Sequence, residues 1–569
     1  MIRCREARAA SYWAMAILAL ILLLVMHLMM VNTGGSGADM PEPLLVWCAI
    51  SLLIAGSAWL FRCSQLQSSA FLRTIIFAAV LLTLPLCWSP SVDWRVDALP
   101  RLAGLWAGVA LYYFLLNCRL TAVQQQLILG CIAFAAVVQA LVSLAGIACP
   151  MLLPLSAQQA VLNAPGVALG VFQQRNVTAS LVATGAAVLL WLLGEARFTL
   201  GSTAWEKWRR CGIGVAIVLL YMTLVLLKSR VGWLGGLSVW GIFIALFCLS
   251  AARRDCSPYL RGGVVLLPLL GILLGQQFLA GAVVAALHEH DASTFDRLFI
   301  LQHTWQMIAQ HPMVGWGYGG FSWSFAHFLV DHGIPLTRGV YGLSHPHNDV
   351  LFWWVEGGIV ALGGLLVMAY GGVKLLLTKT CAKKWAILGC LVPILMHTQL
   401  EYPLYQSPVH WLLVLLLLNM ADTPQPQEKR VLFHARRMHF THCIVMVLAC
   451  MGALLTAATF WQGFSLTAFQ LSPQLQASQV ISMHEWGIGI ERLRKDRALS
   501  YIVRYQSDGN VDDLHQFDRM ATRWLKTWCD ADMDNNLINV RQFLGNNEGA
   551  LKLKREAHHL YPEDPRFSV

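Results

Sequence analysis

The stretch from Ser344 to Trp354, SHPHNDVLFWW, places two histidines directly before an apolar run. The proline between them biases His345 towards an extended conformation, and Asn348 or Asp349 can cap the helix that the following residues predict. His347 would then stand just before a helix N-terminus, whose partial positive charge disfavours the protonated ring. A neutral imidazole near pH 7 is what a general base requires, so the sequence predicts acid–base chemistry at this point.

Two other interpretations of these histidines stay open. In the first, the histidines are ordinary polar residues at the boundary between membrane and water. In the second they are metal ligands, because HEHD at 288–291 adds His288, His290 and Asp291 to the same segment. His-x-His is a weak metal signal without a fourth ligand, and we expect no metal or other cofactor to be required.

Basic and amide residues lie at three places where apolar runs begin or end. They are Gln173, Arg175 and Asn176 in FQQRN, Lys228 and Arg230 in KSRVGW, and Arg297 in TFDRLF. A helix N-terminus offers free backbone N–H groups, and arginine adds a bidentate fork. Together they would suit a diphosphate at the membrane surface. The alternative is that these cations only anchor helix ends in the interface.

A fourth segment, HTQLEYPLYQ at 397–406, places Glu401 and Tyr402 before a proline. Glu401 is expected to orient a histidine or an acceptor molecule. As a lone, exposed carboxylate it would equally serve a structural role.

The elements that hold these residues are predicted to be membrane helices. Of the 569 residues, 57% are hydrophobic and 13% are charged, which is about half the charge of a soluble domain. Thirteen apolar runs approach the length of about 20 residues that crosses a bilayer, and the run at 405–421 is short. They start near residues 12, 44, 71, 102, 127, 177, 213, 231, 262, 350, 385, 405 and 441.

The distribution of lysine and arginine predicts the orientation. With the N-terminus in the cytoplasm, the inner segments hold 21 of these residues and the outer loops hold 7, Arg95 and Arg101 among them. The segment 287–349 and the tail from about residue 463 then face the periplasm. The net charge of +10 mostly anchors inner loops, so it requires no nucleic-acid partner.

The predicted fold is all-α, a polytopic bundle of about 12–13 spans. Its parts are a membrane domain with nine spans at 1–286, a large periplasmic loop at 287–349, further spans at 350–461 and a small helical periplasmic tail at 462–569. The tail loosely suggests tetratricopeptide-like hairpins without a clean repeat. Glu356, near a helix start, is the one ionisable residue expected inside a span, which argues against an ion-coupled transporter.

Four motifs in this order resemble the O-antigen ligase and polymerase superfamily, and most closely the bacterial protein O-oligosaccharyltransferases of the PglL type. The motifs are FQQRN at 172–176, KSRVGW at 228–233, the segment from Arg297 to Phe321 ending in HPMVGWGYGGF, and HPHND at 345–349 followed by EGG. The segment LEYPLY at 400–405 and the tail favour the PglL-type branch. The resemblance covers residues 170–421, about half of the chain.

The resemblance implies transfer of a glycan from undecaprenyl diphosphate to a hydroxyl in the periplasm, at the inner membrane of a bacterium and without a required metal. His347 matches the essential loop histidine of the family, and Arg230 matches an arginine associated with the diphosphate. Glu401 would place the acceptor, a periplasmic or pilin-like protein. Three alternatives stay open: an O-antigen ligase, an O-antigen polymerase, and a lipid-linked glycan flippase that forms no glycosidic bond.

Overall fold

In the computed structural model of the protein, the regular elements of the described residues are all helices. The described residues are 2–30, 37, 40–61, 67–153, 158, 169–195, 203–249, 257–278, 282–337, 340–378, 381–422, 435–485, 488 and 490–568. Apolar sequences of this kind fold as helices because a bilayer offers the backbone no hydrogen-bond partners, and a helix satisfies its own.

Nine α-helices precede the large loop among the described residues, as the nine apolar runs before residue 286 predict. They are α1 Ile2–Leu23, α2 Pro41–Leu60, α3 Ala70–Thr83, α4 Val92–Cys118, α5 Ala122–Ala148, α6 Arg175–Gly194, α7 Thr203–Leu226, α8 Arg230–Ile244 and α9 Pro258–Phe278. Short 3-10 and π turns extend α3 to Trp88 and α8 to Leu249, so all nine are long and apolar enough to cross a membrane.

The remaining membrane segment contains two long and two short apolar helices. They are α12 Asp349–Leu377, α13 Ala382–His397, α15 Pro408–Ala421 and α16 Ala435–Leu471, with the single turn α14 Pro403–Gln406 between the short pair. Only α12 and α16 reach spanning length, which brings the candidate spans among the described residues to 11. All 13 predicted runs form helices, and the polytopic helix bundle is confirmed.

The loop and the tail are also helical. Their helices are α10 Ala282–Gln310, α11 Phe321–Asp331, α17 Pro473–Ser482, α18 Ile490–Asp508, α19 Val511–Trp524, α20 Ala531–Phe543 and α21 Asn547–Leu560. The domain boundaries predicted at 286/287 and 461/462 fall inside α10 and α16, so neither boundary coincides with a break in the chain's helices. The sequence placed them where hydrophobicity ends, but a helix continues past that point when its next residues remain good helix formers.

The tail packs against the large loop through one shared apolar core. Phe325 and Phe328 of α11 are buried together with Ile538, Ala557 and Tyr561 of the tail. The indole of Trp94, at the start of α4, donates a hydrogen bond to the carbonyl oxygen of Lys526 at 3.0 Å. The loop and the tail therefore lie at the same end of the membrane helices.

Helix α6 forms the centre of the bundle and carries two predicted site residues at its N-terminus. Every residue from Val177 to Leu192 is buried, and the helix packs against α5, α7, α8 and α13. Because α6 is surrounded by other helices, Arg175 and Asn176 are held at the middle of one end of the bundle.

One prediction about charges inside the spans was wrong. Arg101, assigned from the sequence to an outer loop, lies in helix α4 and forms a buried ion pair with Glu356 of α12. Its guanidinium also lies over the rings of Phe352 and Trp353, at 4.6 and 4.3 Å from their centroids. Helix α4 begins ten residues before the apolar run, because the mixed polar and apolar sequence from Val92 to Arg101 continues the helix. A buried arginine is tolerated here because it is paired.

The glycines of VGWGYGG fit this segment closely against α4 and α12. Gly319 has φ +83°, and a Cβ there would collide with the carbonyl oxygen of Trp94. Helix α12 is interrupted at Gly358, with φ +66°, where a Cβ would collide with the carbonyl oxygen of Met313. Only glycine combines positive φ with such close backbone contact. The glycines of VGWGYGG and of EGG at 356–358 therefore allow the large loop to pack directly against the first turns of α12.

Candidate active site

The histidine segment, residues 344–348, is placed by the N-terminus of α12. The side chain of Asn348 caps this helix by accepting a hydrogen bond from the backbone N–H of Leu351 at 2.9 Å, which confirms the predicted cap. Its amide also donates to the carbonyl oxygen of Gln399 at 3.0 Å, and the N–H of Asp349 donates to Thr398. The histidine segment is thus fixed against the end of α13.

Both histidines are largely withdrawn from water, and each has a ring nitrogen that lacks a partner among the described residues. His345 is 8% exposed, and its Nε2 is buried without a hydrogen bond. The Nδ1 of His347 is also buried without one. The two ring centroids are 4.5 Å apart. Unsatisfied buried polar atoms are uncommon in folded proteins, so this pair of nitrogens is a place where a polar group of a substrate can bind.

Burial also determines the charge of these rings. It lowers the pKa of His345 well below its usual value, and the neighbouring His347 lowers it further. Burial lowers the pKa of His347 as well; Glu401 acts in the opposite direction and Arg297 in the same one. Both imidazoles are therefore neutral near pH 7 and able to accept a proton, as the sequence predicts for His347.

The turn between α13 and α15 brings Tyr402 and Glu401 to the histidines. The ring of Tyr402 lies on that of His345, with 3.5 Å between the centroids. Tyr402 is itself buried. The aromatic contact fixes the plane of the His345 ring and therefore orients its Nε2.

Glu401 is not the exposed carboxylate that the sequence suggests. It is 3% exposed and accepts hydrogen bonds from four side chains, which with it form the carboxylate cluster. The donors are Gln174 Nε2 at 2.9 Å, Asn176 Nδ2 at 2.6 Å, Arg297 Nη2 at 2.8 Å and His397 Nε2 at 3.2 Å. The exposure was misjudged because three of the four partners, Gln174, Asn176 and Arg297, are distant from Glu401 in the sequence.

The donors around Glu401 decide its ionisation. Burial by itself raises the pKa of this carboxyl, but His397, Arg297 and Asn176 outweigh burial and hold the pKa at about 2. Hydrogen bonds and positive charge favour the ionised form of an acid. Glu401 is therefore an anion at physiological pH and holds Arg297 in place.

Arg230 and Lys228 stand in the predicted turn between α7 and α8. Arg230 is the first residue of α8, and its Nη1 donates to Thr294 Oγ1 of α10 at 2.7 Å. Ser229 caps α8 and donates its hydroxyl to Asn176 Oδ1 at 2.7 Å. These contacts join the turn both to α6 and to the helix that carries Arg297.

Arg175 and Gln173 show two different arrangements at the start of α6. Arg175 is half-buried and makes no side-chain hydrogen bond or ion pair within the described part of the chain. Gln173 donates to the carbonyl oxygen of Met30 at 2.9 Å, so it supports the loop before α6. Of the cations predicted for a diphosphate, Arg297 is engaged by Glu401, whereas Arg175 keeps its donors available.

Backbone strain is concentrated at predicted site residues. Four non-glycine residues have positive φ among those described: Arg119, Gln173, Lys228 and His347. Three of the four were singled out from the sequence for their chemistry. Such conformations cost about 1–3 kcal/mol each and cluster at functional sites, which supports the assignment of these three loops to one site.

Sequence reasoning missed a buried chain of side chains behind Glu401. His397 Nδ1 is 2.9 Å from Ser180 Oγ, which is 3.0 Å from His410 Nε2, and His410 Nδ1 is 2.9 Å from Ser407 Oγ. These four residues are fully buried. The four-residue spacing of His397 and Glu401 at a helix end is the signal that could have revealed the first link.

The side chains of three candidate metal ligands, His288, His290 and Asp291, lie outside the described residues. Among the residues that are described, no group of three or more histidine, cysteine, aspartate or glutamate side chains has the arrangement of a metal site.

Comparison with known families decides the affiliation. A family model described as O-Antigen ligase matches residues 215–366, and one described as Virulence factor membrane-bound polymerase, C-terminal, matches residues 385–569. These two matches place the chain in the O-antigen ligase and polymerase superfamily. Members of the superfamily are glycosyltransferase-like enzymes that act on lipid-linked glycans. A search of the curated proteins finds no match to the chain.

The two superfamily matches divide the site between them. Arg230, Arg297 and both histidines lie in the ligase match, whereas Glu401 lies in the polymerase match together with the whole tail. The superfamily resemblance seen in the motifs is thus confirmed. Contacts such as that between Arg297 and Glu401 join the two matched regions into one site.

Proposed function

We propose that the chain is a protein O-oligosaccharyltransferase of the PglL type. It transfers an oligosaccharide from undecaprenyl diphosphate to serine or threonine hydroxyls of a periplasmic protein, a pilin-like protein included. It does so as a multi-pass protein of the bacterial inner membrane, with its N-terminus in the cytoplasm and its tail in the periplasm. No metal or other cofactor is required in this proposal.

The observation that carries the proposal is the pair of neutral, partly unsatisfied imidazoles beside a set of cations. The charges of Glu401 and Arg297 act on the rings of both His345 and His347. Arg230 reaches the same helix as Arg297 through Thr294. Glycosyl transfer from a diphosphate requires a base next to cationic side chains. The base takes the proton of the acceptor hydroxyl, and the cations stabilise the negative charge on the departing diphosphate.

In the proposed reaction, His347 takes the proton of the acceptor hydroxyl as its oxygen attacks the anomeric carbon. The bond between that carbon and the phosphate oxygen breaks, and the electron pair leaves with undecaprenyl diphosphate. Arg230 and Arg175 stabilise the charge that develops on the departing diphosphate. His345 lies beside His347 as a second contact for the acceptor, and Glu401 keeps Arg297 in position.

The tail supports a protein acceptor. Its helices share a core with the loop that ends in the histidine segment, so a folded surface adjoins the site. The polymerase description of the second family favours a different acceptor, the end of another lipid-linked glycan. A ligase would use a lipid-linked core sugar, and a flippase would form no new bond.

One experiment separates these acceptors. The purified chain is incubated with a lipid-linked oligosaccharide and, in parallel, a pilin-like protein, a second lipid-linked glycan or a lipid A-core acceptor, and products are identified by mass spectrometry. Glycopeptides modified at serine or threonine support the proposal. Glycan lengthening or lipid A-core modification without glycopeptides would replace it by the polymerase or the ligase, and absence of any new glycosidic bond in all three mixtures would favour the flippase.

A further inference from the structure

A continuous chain of hydrogen bonds runs from the carboxylate cluster into the interior of the helix bundle. It passes from Glu401 through His397, Ser180 and His410 to Ser407. All five are at most 3% exposed. Burying two imidazoles and two hydroxyls is unfavourable unless each is satisfied, and the mechanism above uses none of these four residues directly.

The Glu401 carboxylate at one end of the chain sets the direction of its first hydrogen bond. An ionised carboxylate can only accept, so His397 carries a proton on Nε2 and donates it to Glu401. In one arrangement Nδ1 of His397 accepts a hydrogen bond from the Ser180 hydroxyl, Ser180 accepts from His410 Nε2, and His410 Nδ1 accepts from Ser407. In the other, Ser180 donates to the carbonyl oxygen of Val177, 3.1 Å away, instead of to His397. In both arrangements its Nε2 donates to Glu401.

We propose that His397 is a positioning residue for glycan transfer, one that holds the Glu401 carboxylate in a single orientation. This inference rests on the proposed function. Glu401 uses Oε1 to hold Asn176 and Arg297, and it uses Oε2 to accept from His397 and Gln174. With Oε2 held by His397, the carboxylate plane cannot rotate, so Oε1 stays directed at the two residues next to the donor site.

The chain behind His397 explains why a histidine serves here. Ser180 of α6 bonds the second ring nitrogen, and Ser180 is held in turn by His410 of α15. The imidazole is thus gripped from two helices and loses its rotational freedom before substrate arrives. A site whose groups are held in advance by neighbouring hydrogen bonds reacts faster than one that must order them.

The test is a set of substitutions that separates orientation from simple packing. His397→Gln keeps an amide N–H close to the position of Nε2, whereas His397→Phe fills the volume without a donor. His442→Phe is the matched control, because His442 is equally buried and hydrogen-bonded to Tyr113 and Phe61 within the membrane helices, away from the site. Each variant is purified, checked for monodispersity, and assayed for formation of any glycan product and for binding of undecaprenyl diphosphate.

We expect His397→Phe to lower the transfer rate roughly tenfold to hundredfold, the scale of loss when a reacting group is misplaced. His397→Gln should recover most of that loss, and His442→Phe should resemble wild type. Combined with Glu401→Gln, His397→Phe should cause little further loss, because both act on the same contact. Additive losses, a glutamine variant as slow as the phenylalanine one, or an equal effect of His442→Phe would overturn the inference.

The two readouts also separate this inference from the proposed function. Wild-type protein that binds undecaprenyl diphosphate but yields no product refutes the proposed function. The effects of His397→Phe, Glu401→Gln and their combination are then compared in the binding assay. Wild-type protein that transfers glycan while His397→Phe does so equally well refutes only the role of His397. Absence of both binding and transfer in wild type would refute both.

Discussion

The histidine segment and the carboxylate cluster are neighbours and are both largely withdrawn from water, yet their polar atoms are satisfied to opposite degrees. Glu401 accepts from four side chains, and the chain behind it continues through three more residues. His345 and His347 each keep a buried ring nitrogen that has no partner in the part of the chain that the structure describes. A satisfied network is rigid and stabilising, whereas unsatisfied groups cost stability until something binds them.

This difference indicates a division of labour. The carboxylate cluster holds the site residues in position, because its hydrogen bonds are complete without a substrate. The histidine segment contacts the substrate, because the hydrogen bonds it lacks are those that an acceptor hydroxyl would supply. Substitutions in the two regions should therefore separate activity from stability.

The largest effect is expected from His347→Ala. Loss of a general base typically lowers a rate by about 10²–10⁴-fold, so transfer should fall by that amount. Thermal stability should be unchanged or slightly higher, because the removed ring has an unsatisfied buried nitrogen and a strained backbone, with φ +54°. Transfer is measured by glycoprotein mass spectrometry and stability by the melting temperature in detergent.

His332→Ala is the control for that substitution. His332 lies in the same large loop, is exposed, and bonds the carbonyl oxygen of Phe328 rather than the site. It should leave transfer near the wild-type rate. Near-wild-type transfer by His347→Ala at equal membrane abundance would remove this residue from the mechanism.

Glu401→Gln should affect both quantities. The amide leaves Arg297 without its ion-pair partner, and Arg297 is only 24% exposed at its side chain. A displaced arginine at the donor site should lower transfer roughly 100-fold, and the melting temperature should fall as well because a buried charge has lost its partner. A fall in activity with unchanged stability would place Glu401 among the reacting groups instead of the residues that hold the site in position.

The sequence predicted the elements of this site better than their connections. Apolar runs, the Asn348 cap and the turn at Lys228–Arg230 are local, so composition and spacing indicate them directly. Most of the bonds that define the carboxylate cluster join residues far apart, 225 positions for Asn176 and Glu401 and 104 for Arg297 and Glu401. Helix packing decides such contacts, and one sequence does not contain that information.

Charges inside spans were misjudged for the same reason. Arg101 was counted as a loop residue because its apolar run starts near residue 102, although the helix starts at Val92. Its partner Glu356 lies 255 positions away. An ionisable residue in a span is acceptable only when a distant partner covers it, so its place cannot be read from local hydrophobicity.

Arg230→Lys tests whether the cations of the site act as more than membrane anchors. Lysine retains the charge but cannot bond Thr294 and a phosphate oxygen together through a planar fork. Losing one charge-assisted hydrogen bond, about 1.5 kcal/mol, corresponds to roughly a tenfold lower transfer rate. Arg95→Lys is the matched control, because Arg95 is also near a helix start and bonds the carbonyl oxygen of Ser91. Equal activities of the two variants would return Arg230 to an anchoring role.

The smallest effect is expected from pH, and its sign follows from the environment of His347. Burial lowers the pKa of this ring, with Arg297 adding to the decrease and Glu401 opposing it. The protonated, inactive form then appears only below the usual imidazole value of about 6.5. An unperturbed base would lose about half of its active form at pH 6.5, so transfer should fall by less than that between pH 7.5 and 6.5.

The measurement is kcat/KM against pH, which reports the free enzyme, with His332→Ala giving the same profile. An acid limb with its midpoint at or above pH 6.5 would mean that the base is exposed to water, and the contrast between the two regions would then fail.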